Sequence, residues 1–561
     1  MSRRVLILNI TRMGDLVQSV PLIARLRHEW PDAAVDLVVD QSFASVAALL
    51  PNVRQVHALD FRALTENGRA MAKDLVTLYR ELKEWARPLA EVRYDRIVNL
   101  TFNRRSGLLA AYIGAPDIRG VTCATDGATV VRNAWMAYFT DLHRHRRLNR
   151  FNLVDLYALG GSGHGPFTPL RMPVSSKARE EARALLGRQR PAEGWMAVQV
   201  GASEIIKAWR PDSFGRAMAA IARRATVGFV MIGTEVEREA VELAINAYRN
   251  AGGAAPLRNV LGRTDVKSLT ALLAECRLLL TNDTGPMHLA VSAGTPVIDL
   301  SVGHVDFRET GPYGPGHWVV QPDLGCAPCG FDQVCAHHAC KDRILSEQAA
   351  ELCLYGMGLG PMPAHSTGVR IYESALDDDG LGAYKLKVGR ADAVSEWYAA
   401  LWRRYWFQEF TGRESLSPVP QGEAPDAKEQ RAVFRYLAPL LRRLVAQADE
   451  LERLCRRSVP PVSSVQALQA EMRDLRRRAV TLAAEGLAFG SATVAFVRET
   501  CNGEALTLTA MASEQLSAYR AWQRRVHEVA HLIFSLTSDN CRQSVSVPVL
   551  TVRRMSAADT A

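Results

Sequence analysis

Three stretches of this chain join reactive side chains to glycines that would let a ligand approach them. The first is Thr11-Arg12-Met13-Gly14-Asp15, directly after the apolar run Val5 to Ile10. Gly14 allows a tight backbone turn, and Asp15 then stands at the start of a helix. A carboxylate there serves either as general base for a hydroxyl nucleophile or as a helix cap. The second runs from Leu278 to Ala290, where Leu278-Leu279-Leu280 meets Thr281-Asn282-Asp283-Thr284-Gly285-Pro286. Backbone N–H groups of a helix opening at Thr284 and Gly285 favour a phosphate. Asp283 would repel that phosphate, so it suits a ribose or sugar hydroxyl, or the helix N–H groups. The plainer alternative is an N-capping Asp283 and a turn-forming Gly285. The third is Cys326-x2-Cys329-x5-Cys335-x4-Cys340. Thiols this close suggest a tetrahedral S4 site for Zn or Fe, with His337 or His338 able to replace one cysteine. Free thiols are the alternative. With every ligand drawn from protein, such a site is structural.

These stretches need elements to position them. Val5 to Ile10 reads as a buried parallel strand, followed by a helix over Leu16 to Trp30 that Pro31 ends. A strand at Val35–Val39, a helix near Phe43–Leu50, a strand near Gln55–Leu59, a helix from about Gly68 to Pro88, a strand at Asp95–Leu100 and a helix near Ser106–Ile113 follow. Alternation of this kind means a parallel, doubly wound sheet. It resumes at Trp195–Val200, with a helix from Pro211 to Ala222, a strand at Val227–Ile232, helices over Glu235–Asn250 and Ser268–Glu275, and then the Leu278 stretch. In such sheets ligands bind at the carboxyl ends of the strands, where all these motifs fall. The predicted organisation is one Rossmann-like domain over 1–175, a second over 176–358 including the cysteines, and a mainly helical extension over 359–561. Residues 361–425 read as irregular apart from an aromatic helix near Ser395–Phe410. Leucine stripes such as Leu437, Leu440, Leu441 and Leu444 indicate helix packing beyond Lys428.

Composition narrows the function. The chain has 561 residues, 48% hydrophobic and 23% charged, as in ordinary globular proteins. A net charge of +9 fits an anionic small ligand or peripheral contact with an anionic membrane face. No nucleic-acid module signature accompanies it, so nucleic acid is not an expected partner. No apolar run reaches the length of about 18 residues that spans a bilayer, and Val5 to Ile10 is too short for a signal-peptide core. A cytoplasmic location is expected, with the ten cysteines as thiols or metal ligands.

Asn282 to Ala290 followed by Gly294-Thr295-Pro296-Val297 resembles the donor-site signature of glycosyltransferase family 9, the ADP-heptose heptosyltransferases. The resemblance spans about residues 3–345. It implies an α/β GT-B fold, two Rossmann-like domains facing across a cleft. It implies that Asp15, after Gly14, is the catalytic base. It further implies that Ser203 and Lys207, in a loop with Lys207-x-Trp209, hold the donor phosphates, that Glu237 accepts ribose hydroxyls, and that Asp283, Thr284, Gly285 and His288 complete the donor site. Ala202 departs from the family, whose members often carry Thr there. The activity implied is inverting transfer of a heptose from a nucleotide-diphosphate donor to a lipopolysaccharide-core or protein hydroxyl, without a catalytic metal. The four cysteines resemble the iron-finger segment of bacterial autotransporter heptosyltransferases, which raises Fe beside Zn, and a homo-oligomer is compatible with this reading. His304, Arg308 and Glu309 read as packing or loop residues. The rival is a non-catalytic sugar-nucleotide-binding or scaffold protein acting through its helical half.

Overall fold

The computed structural model describes residues 3–61, 75–331, 333–364, 367–420, 424, 426–484 and 486–535. The chain divides into two compact units, Met1–Ala391 and Asp392–Ala561.

The first unit holds two sheets. In one, β1 (Arg4–Leu8), β2 (Ala34–Asp40), β3 (Val53–Leu59), β4 (Arg96–Asn99), β5 (Asp117–Cys123) and β6 (Thr129–Arg132) lie in the order β3-β2-β1-β4-β5-β6. All neighbours are parallel except β5 and β6. Val5, Leu6, Ile7 and Leu8 are fully buried, as a strand covered by helices on both faces requires. In the other, β7 (Trp195–Gln199), β8 (Gly228–Ile232), β9 (Leu257–Asn259), β10 (Cys276–Asn282), β11 (Val297–Leu300), β12 (Trp318–Pro322), β13 (Val369–Leu376) and β14 (Gly382–Val388) lie in the order β14-β13-β12-β11-β10-β7-β8-β9. Strand order reverses between β1 and β4 in the first sheet and between β7 and β10 in the second. Crevices at such switch points are where open α/β sheets take ligands.

Four expectations change. The helix predicted from Leu16 to Trp30 is two helices, Met13–Gln18 and Val20–Glu29, meeting at Ser19. Pro21, in the first turn of the second, has no N–H to continue the ladder, and the Ser19 hydroxyl donates to the Leu16 carbonyl at 2.6 Å. Pro88 does not end its helix, which runs Leu75–Glu91; Ala86 and Leu89 are buried and anchor the final turns. The part of that prediction before residue 75 lies outside the described residues. The third change is the domain boundary at 358/359. β13 and β14 form a hairpin on the edge of the second sheet, so the compact unit runs to Ala391. The fourth follows from it: 369–388 is regular, not irregular. The turn Asp377-Asp378-Asp379-Gly380, with Gly380 at φ +78°, is the hairpin signal. A register shift between Ile371 and Tyr372 puts the strand's alternation out of phase and hides it.

The second unit is helical over Ala393–Thr411, Ala427–Cys455, Val462–Ala484, Gly490–Cys501 and Leu508–Ser535. Leu437, Leu441 and Leu444 are buried, Trp402 stacks on Trp406, and Phe496 lies 4.1 Å from Trp522 centroid to centroid. Those apolar stripes pack helices, as their spacing predicts. Among the described residues no helix is long and apolar enough to cross a membrane.

Candidate active site

The loop after β7 is held by the end of β10. The Asn282 amide donates to the Val200 carbonyl at 2.9 Å and to the Gly201 carbonyl at 3.1 Å, while its oxygen accepts the Trp209 backbone N–H at 2.9 Å. Trp209 is fully buried, and its indole N–H donates to the carbonyls of Lys341 and Ile344 at 3.0 and 3.2 Å. Between those anchors a short 3-10 turn, Ile205–Lys207, presents Lys207, whose Nζ lies 3.7 Å from Glu204 Oε1. The Lys341 ammonium holds the same turn, donating to the Ile205 carbonyl at 2.6 Å. Ser203 is exposed on this loop. In the Lys207-x-Trp209 motif, then, the tryptophan anchors the loop and the lysine is buried beside Glu204.

Beyond β10 the helix Gly285–Ala293 begins. Thr284, its N-cap, does not cap it with its side chain. The hydroxyl turns to Gln199 Oε1 at 3.2 Å and the Asn282 carbonyl at 3.3 Å, so the first-turn N–H groups have no side-chain acceptor. Asp283 does not cap either. Its carboxylate accepts the Thr310 hydroxyl. Burial pushes it up to about 6, opposed by Thr310, Lys207 and Arg12 and reinforced by Asp15.

Asp15 starts the opposing helix. Burial raises its carboxyl above the usual range, against the Thr11 hydroxyl and the charges of Arg12 and Lys207. The Arg12 N–H donates to it at 3.3 Å, and its own carbonyl accepts the buried Asn9 amide at 3.1 Å. The two helices meet through small residues. A Cβ on Gly14 would stand 2.9 Å from His288 Cδ2, and one on Gly285 would stand 2.1 Å from Met13 Cε. Asp15, Lys207 and Asp283 thus share one electrostatic environment, each carboxylate feeling the lysine.

Two expected donor contacts change character. His288 is 4% exposed and packs beneath Gly14; burial pushes its ring down to about 4, so it is neutral. Closed off in this way, it packs between the two helices. Glu237 is committed to structure: one oxygen accepts Gln199 Nε2 at 2.7 Å, the other the Thr234 N–H at 2.6 Å and hydroxyl at 3.0 Å, closing a capping box. A Cβ at Gly201 would fall 1.7 Å from Glu237 Oε1, so Gly201 makes room for that carboxylate.

Sequence reasoning passed over Arg146 and Asp299 and read Glu309 only as a packing or loop residue, yet all three belong here. Arg146 donates to the carbonyls of Cys329, at 3.1 Å, and His304. It also lies 4.4 Å over the Phe331 ring and 3.3 Å from Glu309 Oε1. Glu309 is buried and pushed up to about 8 by that burial and by Asp306, against Arg146. Asp299, on β11, is fully buried with neither oxygen hydrogen-bonded. No local signal marks these residues, because only the packed loops bring them together. Arg308 keeps its expected packing role, over the rings of Phe307 and Tyr372.

The cysteines are free thiols, Cys329 and Cys340 buried, Cys326 and Cys335 half-buried. Burial and the neighbouring Cys326, Cys340 and Cys335 push the Cys329 thiol up to about 11. By chemistry the set suits a soft cation. The geometry is less complete, for among the described residues no group of three or more His, Cys, Asp or Glu side chains is arranged to hold a metal ion.

Residues 82–339 match the sequence model of glycosyltransferase family 9 (heptosyltransferase). The chain is 24% identical over 332 residues, 58% of its length and 86% of the relative's, to lipopolysaccharide heptosyltransferase 1 of Pseudomonas aeruginosa. It is 23% identical over 299 residues to lipopolysaccharide heptosyltransferase 3 of Escherichia coli, covering 53% of this chain and 83% of the relative. A solved family 9 glycosyltransferase from Veillonella parvula aligns with TM-score 0.48 and 20% identity, covering 64% of this chain and 98% of that one. Residues 82–339 are thus similar to glycosyltransferase family 9, and the chain is a transferase.

Proposed function

From that family 9 similarity as premise, we propose that the protein transfers a heptose from a nucleotide-diphosphate donor such as ADP-heptose to a hydroxyl of a lipopolysaccharide core, with inversion. The observation that carries the reading is the meeting of Asp15, Lys207 and Asp283 at the switch points of two facing sheets. Asp15 takes the proton of the acceptor hydroxyl as its oxygen attacks the anomeric carbon. A carboxylate of raised pKa is a stronger base. Lys207 and the N-terminal end of the helix after Thr284 receive the charge that develops on the leaving diphosphate. Asp283, whose carboxylate would repel a phosphate, holds sugar hydroxyls. Ser203 lies on the same loop as Lys207 and supplies a hydroxyl to the donor phosphates. Glu237 keeps lone pairs for a ribose hydroxyl beside its structural bonds. The thiols of Cys326, Cys329, Cys335 and Cys340 would hold a structural Zn or Fe that contributes folding free energy, and no step of transfer runs through it.

The test is transfer itself. Purified protein with ADP-heptose and a heptose-free core glycolipid should release ADP and extend the glycolipid by one heptose, read by mass spectrometry. ADP release without extension of any hydroxyl acceptor, or no binding of ADP-heptose by calorimetry, would refute the proposal.

A further inference from the structure

The four-cysteine segment and the residue after it lie against the turn that carries Lys207. The Cys329 N–H donates to the Gly303 carbonyl at 2.9 Å. Gly303, at φ +71°, packs so close to the turn that a Cβ there would collide with the Ile206 carbonyl oxygen. Lys341, on the short helix Ala339–Arg343, grips the turn from two directions. Its carbonyl accepts the Trp209 indole N–H at 3.0 Å, and its ammonium donates to the Ile205 carbonyl at 2.6 Å.

Lysine is a costly choice for that place. Lys341 is 7% exposed, and among the described residues its ammonium lies within ion-pair distance of no carboxylate. An ammonium buried without a direct ion pair costs more than a neutral side chain of the same length. What it meets is the carbonyl that closes the turn, since Ile205 also accepts the Ala208 N–H at 3.1 Å. The two donors occupy both lone pairs of that oxygen. The Ile205 side chain gives the turn no apolar anchor, being 83% exposed. The next residues along the two segments, Arg210 and Asp342, form an exposed ion pair, a kind that contributes little. The buried ammonium therefore sets the backbone two residues before Lys207.

We propose that Lys341 is a positioning residue for transfer, its ammonium fixing the Ile205–Lys207 turn so that Lys207 meets the leaving diphosphate. The proposal rests on the role given to Lys207 in the transfer reaction. Lys341 needs no contact with the donor. It acts by ordering the turn in advance, which spares donor binding that cost.

Hydrogen–deuterium exchange of the nucleotide-free protein measures the turn, and calorimetry with ADP and with adenosine measures the consequence. In K341M the amides of Lys207 and Ala208, which donate to the Glu204 and Ile205 carbonyls, should exchange roughly tenfold faster. ADP should bind roughly tenfold more weakly, with adenosine affinity unchanged. In a K207A background K341M should make no further difference to ADP affinity. K341R, which keeps a cationic donor, should recover much of both losses, and R210Q/D342N should match wild type. K341Q, shorter and uncharged, takes the place of K341M if the methionine variant does not fold. Unchanged exchange in K341M, equal losses for ADP and adenosine, an ADP loss that persists in the K207A background, or the same losses in R210Q/D342N would overturn the proposal. If K207A alone leaves ADP affinity intact, the diphosphate role of Lys207 falls on its own, and exchange still decides whether Lys341 sets the turn.

Discussion

Replacing Asn282 by Asp changes one atom and inverts the polarity of a buried clasp. The native side chain donates twice, to the carbonyls of Val200 and Gly201, and accepts once from the Trp209 N–H. Asn282 is fully buried. In N282D the accepting bond survives, while both donor bonds become contacts between a carboxylate and carbonyl oxygens. Each lost buried bond costs about 1–3 kcal/mol, so two give roughly 2–6 kcal/mol near pH 7. Proton uptake relieves part of it, since a carboxylic acid donates once. The folded pKa is therefore raised above the unfolded value of about 4, the folded state binds more protons, and stability falls as pH rises. The loop between Val200 and Trp209 carries Ser203 and Lys207, so nucleotide-diphosphate affinity should fall together with stability. Urea denaturation at pH 5 and pH 8, with ADP calorimetry in parallel, measures both. A loss below about 1 kcal/mol at pH 8, equal at the two pH values and with ADP affinity intact, would refute the argument that Asn282 positions the loop.

Asp15→Asn should bind ADP normally and lower turnover by roughly 10²–10⁴-fold; turnover within tenfold of wild type removes Asp15 from the mechanism. Lys207→Ala should weaken ADP binding far more than adenosine binding, and an equal effect on both would exclude a phosphate contact. Gly14→Ala drives a methyl against the His288 ring, so stability should drop by about 1–3 kcal/mol, measured by thermal or chemical denaturation; an unchanged midpoint would mean the helices separate freely. Elemental analysis should find about one Zn or Fe per chain, and Cys329→Ser should lower the melting temperature; metal-free protein that is fully stable would make the cluster a set of packed thiols.

What the sequence disclosed follows from how local each feature is. β1 and β10 were legible because their runs are apolar throughout, and Gly14-Asp15 and Asp283-Thr284-Gly285 because a strand end, a glycine and a helix start are consecutive. The unbroken helix over Leu16–Trp30 was misread because apolar spacing persists through Pro21 while the hydrogen-bond ladder does not. The β13–β14 hairpin was hidden by its register shift. The structural contacts of His288 and Glu237 were not legible for a different reason. Their positions in the motif are local, but whether a side chain faces a ligand or a neighbouring backbone depends on Gly14 and Gly201, far away in the chain. Arg146, Glu309 and Asp299 depend wholly on such distant encounters.

The contact of Gly14 with His288 and of Met13 with Gly285 also has a mechanical meaning. Were the two sheets to rotate relative to one another, this contact would serve as a fulcrum close to Asp15 and Asp283. Rotation of one sheet domain about it would leave Asp15 and Asp283 nearly stationary, while points farther along the two sheets sweep apart in proportion to their lever arm. A larger residue at either glycine would shift the pivot outward, and the same angle of opening would pull the reacting groups apart.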